Sequence, residues 1–152
     1  MKINFFEKLL GSGLYTGFIP FASGTFGSLI ALIIYWIPGF ENLYVIIPVI
    51  ILSTIYGIFI GNKFDVIYGK DPAEYTLDEM IGQWIALLFL PKTILISVIA
   101  FFTWRVFDII KPFPSKKLEN LPGGIGIIAD DIVASLYSLI FVHIILLVFN
   151  IY

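Results

Sequence analysis

The sequence predicts an all-α fold, a multi-pass membrane helical bundle of about four to five apolar segments. Composition is the first reason. Hydrophobic residues make up 59% of the 152, charged residues 13%, and mean hydropathy is +0.99. Soluble domains carry roughly 45–50% apolar and about 25% charged residues, so both departures point toward a bilayer. The second reason is spacing: apolar runs at 24–37, 44–60, 79–90, 94–107 and 127–149 alternate with polar connections. A helix satisfies its own backbone hydrogen bonds in lipid, which an open strand cannot do. The length suits one membrane-embedded domain over 1–152.

Residues 1–23 form an interfacial, Gly-rich N-terminal segment. It opens with MKINFFEKLLGSG, where Lys2, Glu7 and Lys8 give a short amphipathic pattern without a signal-cleavage site. Gly11 to Gly27 is rich in Gly, Ser, Thr and Pro, and two roles suit it equally. It can be a small-residue packing segment. It can also be a backbone-rich lip that meets a phosphate through amides and the hydroxyls of Ser23, Thr25 and Ser28. The run 44–60 is the cleanest span, although Pro48 is expected to bend it.

Residues 61–77 carry Lys63, Asp65, Lys70, Asp71 and Glu74 and are expected to lie in water. Thr76 and Glu79 have capping-box spacing at a helix start. That reading leaves Asp78 with only a favourable dipole contact. The runs 79–90 and 94–107 would each be only about 20 Å long as helices. A hydrocarbon core is roughly 30 Å thick. They are therefore a short hairpin over 78–107, with Lys92 snorkelling at its turn, or spans in a thinned bilayer. A polar loop, 108–126, leads to the last run.

This arrangement gathers the acidic residues. A segment that leaves from Asp78 and Glu79 and returns at Asp108 brings them to one face, where Asp130 and Asp131 begin the last helix. With a cytoplasmic amino terminus, Lys2, Lys8, Lys63, Lys70, Lys111, Lys116 and Lys117 fall inside and Lys92 outside. The positive-inside rule then makes the carboxylate face cytoplasmic. Net charge is −2, with no basic excess to suggest nucleic acid.

Carboxylates at the mouths of apolar helices are costly and mark function. Asp78, Glu79, Asp108, Asp130 and Asp131 are oxygen ligands suited to Mg²⁺, which binds carboxylates together with phosphate. Lys111 is placed to offset charge on a phosphoryl oxygen. Gly123 and Gly124 offer backbone amides to the same anion. The expected substrate is a phosphorylated lipid.

Other chemistries are excluded by composition. There is no cysteine nucleophile, and the single histidine, His143, lies in an apolar run as a lipid-interface or helix-contact residue. The sequence has neither Asp-x-Asp-Gly-Thr nor Asp-Gly-x-x-Ala-Arg, and no Gly-x-x-x-x-Gly-Lys-Ser/Thr loop.

Three blocks carry a family resemblance: Asp78-Glu79-Met80-Ile81-Gly82-Gln83-Trp84, Arg105-Val106-Phe107-Asp108-Ile109-Ile110-Lys111-Pro112, and Gly123 to Ala134. With Gly11 to Gly13 and Pro20 to Ser28, they resemble the phosphatidylglycerophosphatase A family in order and spacing. The departure is Leu121-Pro122 before the glycine pair, where a more polar residue such as His is expected.

The resemblance implies a Mg²⁺-dependent bacterial phosphatase of the cytoplasmic membrane, which converts phosphatidylglycerophosphate to phosphatidylglycerol. It maps the family's acidic positions onto Asp78, Glu79, Asp108, Asp130 and Asp131, and its lysine onto Lys111. Thr25, Ser28, Gly123 and Gly124 are the expected substrate contacts beside Lys111. The rival reading is a small transporter or ion-coupled protein, whose carboxylates would spread through the membrane depth.

Overall fold

A computed structural model describes residues 2–151; Met1 and Tyr152, the ends of the predicted domain, lie outside it. The described residues form seven α-helices and a 3₁₀ turn at Thr16–Phe18, with no strand among them. The helices are α1 (Phe5–Gly11), α2 (Ser23–Tyr35), α3 (Leu43–Tyr68), α4 (Leu77–Ala86), α5 (Ile94–Ile110), α6 (Ser115–Leu118) and α7 (Gly123–Val148).

The short helix α4 is the axis of the bundle and packs against α2, α3, α5 and α7. Every residue of α4 except Glu79 is buried, and Glu79 is half-buried. Met80, Ile81, Trp84 and Ile85 join the main apolar core with Ile46, Ile60, Phe64 and Ile128. Close approach is needed beside α5: a Cβ on Gly82 would enter the indole of Trp104. Trp104 is fully buried and donates from Nε1 to Ser28 Oγ at 3.1 Å. Trp84 likewise donates from Nε1 to the Ala31 carbonyl, tying α4 to α2.

Two helices, α3 and α7, are long and apolar enough to cross a membrane. In their most apolar stretches only 22% and 33% of residues are buried inside the protein. Bare helices of this kind are what a bilayer covers, and the protein is membrane-associated. The apolar α2 and the short α4 fall below that length.

Helix α4 ends at Ala86, short of the expected 90, and three further features differ from the sequence expectation. Helix α3 continues to Tyr68, so Lys63 and Asp65 lie on its last turns, within the stretch expected to be a separate polar segment. The buried Phe64, packed on Tyr75, carries the apolar face onward, while Lys63 pairs with Glu7 of α1 at 2.5 Å. The helix stops at Gly69, which has φ of 105°. Helix α7 starts at Gly123, so the expected loop 108–126 shrinks to about 111–122 and includes α6. Asn62 of α3 makes this possible by accepting the Gly124 N–H at 2.9 Å, serving a free donor of the helix start.

The third difference is the capping box at Thr76. Its hydroxyl makes no cap bond and meets Thr16 Oγ1 at 3.0 Å, and the Glu79 N–H donates to Asp78 Oδ1 instead. A capping box does form, but at α1, between Asn4 and Glu7. Helix α4, a turn and α5 occupy the segment 78–107, and Lys92 at that turn reaches Glu41 at 2.7 Å. His143 lies half-buried on α7, with Nδ1 2.8 Å from the Leu139 carbonyl one turn earlier in the same helix.

Candidate active site

Chain direction places the acidic residues together. The start of α4, the end of α5 and the start of α7 share one end of the bundle. Asp78, Glu79 and Asp131 each present a carboxylate oxygen, and these oxygens lie within 4.8 Å of one another. Asp78 and Asp131 are buried. Such a grouping of like charges in an apolar bundle is unfavourable without a counter-charge.

Two cations stand beside it. Arg105 on α5 pairs with Asp108 one turn later, Nη1 to Oδ2 at 3.1 Å, and also donates to Ser28 Oγ at 3.4 Å. Asp108 in turn lies within electrostatic reach of Glu79 and Asp131. Lys111 caps α5 in a left-handed conformation, and its ammonium meets Asp130 Oδ2 at 2.5 Å. Burial pulls the Lys111 ammonium down, but the bond and charge of Asp130, with Asp131 and Asp71, carry it above the ordinary lysine value. Lys111 is charged at any physiological pH.

The five predicted carboxylates therefore divide. Asp78, Glu79 and Asp131 form the closest group, Asp108 joins through Arg105, and Asp130 faces Lys111. Ser28 is buried against α4 and α5, with its hydroxyl 3.5 Å from the Glu79 carbonyl. Thr25 is half-buried in the first turn of α2. Gly123 has φ of 60° and starts α7, where the Gly124 amide is engaged by Asn62. The Gly-rich segment packs: a Cβ on Gly24 would strike Glu79 Oε1, and one on Gly27 would meet Thr76.

Two neighbours were not singled out from the sequence as site residues. Arg105 sits inside an apolar run, which was its signal: a buried guanidinium there demands an acidic partner. Asp71 reads in the sequence as one of the solvated residues of 61–77. It is open to solvent on one side and crowded by protein on the other, in a left-handed turn. That crowding, with Asp108 and Glu119 nearby and against the pull of Lys111, raises its carboxyl.

The donor set fits a hard divalent cation. Glu79 Oε2, Asp130 Oδ1 and Asp131 Oδ2 are buried and have no hydrogen-bond partner among the described residues. Buried carboxylate oxygens without donors are what an oxygen-seeking ion satisfies.

A helical bundle with bare apolar helices and a buried acidic centre defines a membrane-associated protein built around a polar site. The chain belongs to the phosphatidylglycerophosphatase A family, whose pattern it matches over residues 9–146. It is 34% identical to the phosphatidylglycerophosphatase A of Escherichia coli, covering 86% of this chain and 77% of that protein. Its identity to the Haemophilus influenzae phosphatidylglycerophosphatase A is 33%, over 88% of this chain and 85% of that one. A Bacteroides thetaiotaomicron protein, provisionally named a phosphatidylinositol-3-phosphatase, is 38% identical over 91% of this chain and 92% of its own length. No solved structure matches.

Proposed function

We propose that this protein is a phosphatidylglycerophosphatase: it hydrolyses the terminal phosphomonoester of phosphatidylglycerophosphate to phosphatidylglycerol and inorganic phosphate. The observation that carries the reading is the convergence of Asp78, Glu79 and Asp131 within 4.8 Å in a chain of this family. In this reading the apolar segments cross a bacterial cytoplasmic membrane several times, with the carboxylate end at the cytoplasmic face. Lysine placement supports that orientation. Only the headgroup enters; the acyl chains stay in the bilayer.

Asp78, Glu79 and Asp131, with Asp108 and Asp130 behind them, would hold Mg²⁺. When bound, such an ion supplies charge neutralisation, without which this cluster would repel a phosphate. The remaining work belongs to the chain. One carboxylate orients a water in line with the scissile P–O bond and takes its proton as the water oxygen bonds to phosphorus. The P–O bond to the glycerol oxygen breaks, and that oxygen takes up a proton from solvent water while the carboxyl group returns its own to solvent. Lys111 and Arg105 offset the charge on the phosphoryl oxygens, Thr25 and the Gly123 backbone border the headgroup, and the buried Ser28 and the Asn62-bound Gly124 amide hold the wall behind them.

The test is phosphate release from phosphatidylglycerophosphate by detergent-purified protein, with Mg²⁺ and with EDTA, beside Asp131→Asn. Metal-dependent release that the variant loses is the expected result; no release from folded protein in any condition refutes the reading. A second substrate is favoured by the Bacteroides relative. Faster release from phosphatidylinositol 3-phosphate in the same assay would reassign the headgroup and leave the lipid phosphomonoester chemistry intact.

A further inference from the structure

Gln83 follows Glu79 by one turn of α4, so the two side chains share a face, with roughly 5–6 Å between their Cβ atoms. Its relative exposure is 0%, and neither Oε1 nor Nε2 has a hydrogen-bond partner among the described residues. A carboxamide has two N–H donors and two acceptor positions, all of them idle here. Native interiors rarely tolerate this, and each instance requires an explanation. The flanking buried positions of α4 are Ile81, Trp84, Ile85 and Ala86, whose side chains offer Gln83 no acceptor.

The neighbouring centre has matching needs. Glu79 Oε2 and Asp131 Oδ2 are also buried without partners, and both residues contribute to the oxygen group that spans 4.8 Å. The carboxylates lack donors, and the amide one turn away has donors to give.

We propose that Gln83 is a positioning residue of the acidic centre: through ordered water, its carboxamide holds the Glu79 and Asp131 carboxylates in register for a divalent cation. The inference rests on the phosphatase reading above. Buried waters typically make about three hydrogen bonds to polar groups of this kind. The amide donates to such a water through Nε2–H, and the water donates to the carboxylates. Its neutrality matters, since another carboxylate one turn deeper would add to the repulsion. Residues that orient metal-binding carboxylates act through geometry and touch neither cation nor substrate.

The test uses the full chain in detergent, comparing wild type with Gln83→Leu and Gln83→Asn. Mg²⁺ affinity is measured by titration calorimetry without lipid, and phosphate release is measured across a lipid titration. Gln83→Leu should weaken Mg²⁺ binding about 10- to 100-fold and lower kcat by a similar factor, with KM for lipid within about twofold. Its melting temperature without metal should stay close to that of wild type, which separates lost positioning from lost folding. Gln83→Asn keeps the amide and should restore most of the affinity. If Gln83→Leu does not give folded protein, Gln83→Met is judged by the same criteria.

Wild-type affinity and kcat in the apolar variant would overturn the inference and leave the phosphatase reading standing. A wild-type protein that neither binds Mg²⁺ nor releases phosphate would overturn both.

Discussion

Gly24 on α2 lies directly behind the Glu79 carboxylate. A Cβ there would collide with Oε1 and come within 3.1 Å of Arg105 Nη2. This contact makes the Gly-rich start of α2 part of the wall behind the acidic centre, although the glycine itself carries no chemistry. Gly24→Ala must push Glu79 or Arg105 aside. A displacement near 1 Å can cost about a hundredfold in rate, so kcat should fall by about that factor. Circular dichroism and elution volume should stay unchanged. An alanine variant with wild-type turnover would show that Glu79 has no fixed position to lose.

The Lys111–Asp130 pair joins the α5 cap to α7, with Asp130 only 1% exposed. Removing one partner strands a buried charge, a loss of about 3–5 kcal/mol. Lys111→Met should therefore lower the melting temperature clearly. Lys111→Met with Asp130→Leu should recover much of that stability while phosphate release stays absent. Full stability in the single variant would mean that the pair is not structural.

Gly82 lets the Trp104 indole rest on the backbone of α4. Gly82→Val overpacks this contact and should cost about 1–3 kcal/mol. Chemical denaturation in detergent measures it, and a variant as stable as wild type would contradict the packing described.

Acid should release α1 from α3. The hydrogen bond from Lys63 holds the Glu7 carboxyl below its ordinary value of 4.5, with help from the Asn4 backbone N–H. A carboxyl lowered on folding stabilises the folded state above its unfolded value, and that contribution fades as pH falls through the lowered one. The hydrogen-exchange protection factors of Phe5–Gly11, which divide out the intrinsic pH dependence, should fall below pH 4.5 in wild type. They should be low and flat with pH in Glu7→Gln. A wild-type profile without an acid limb would count against the pair.

Apolar periodicity and carboxylate placement made much of this fold legible. The five apolar runs each hold a helix, because long uncharged stretches have no other way to satisfy their backbone. Boundaries were harder to read. Lys63 and Asp65 look like the end of a span, yet Phe64 between them is a core residue and keeps α3 helical. Local rules also competed. Thr76 and Glu79 have the spacing of a capping box, but Thr76 is drawn away by Thr16, sixty positions earlier, a contact no local window contains. Asp78, Glu79 and Asp131 could be grouped from chain direction alone. Their division from Asp130 depends on where the Lys111 side chain points, which only the packed structure shows.

Helix α4 has ten residues, about 15 Å of helix, half the thickness of a hydrocarbon core of about 30 Å. It bears two carboxylates and is enclosed by α2, α3, α5 and α7. Such a segment is too short to span a bilayer by itself, so its place is set by the helices that enclose it. Its two carboxylates meet Asp131 of α7 and stand near Asp108 of α5. No single helix carries the acidic centre, which exists only where α4, α5 and α7 pack together.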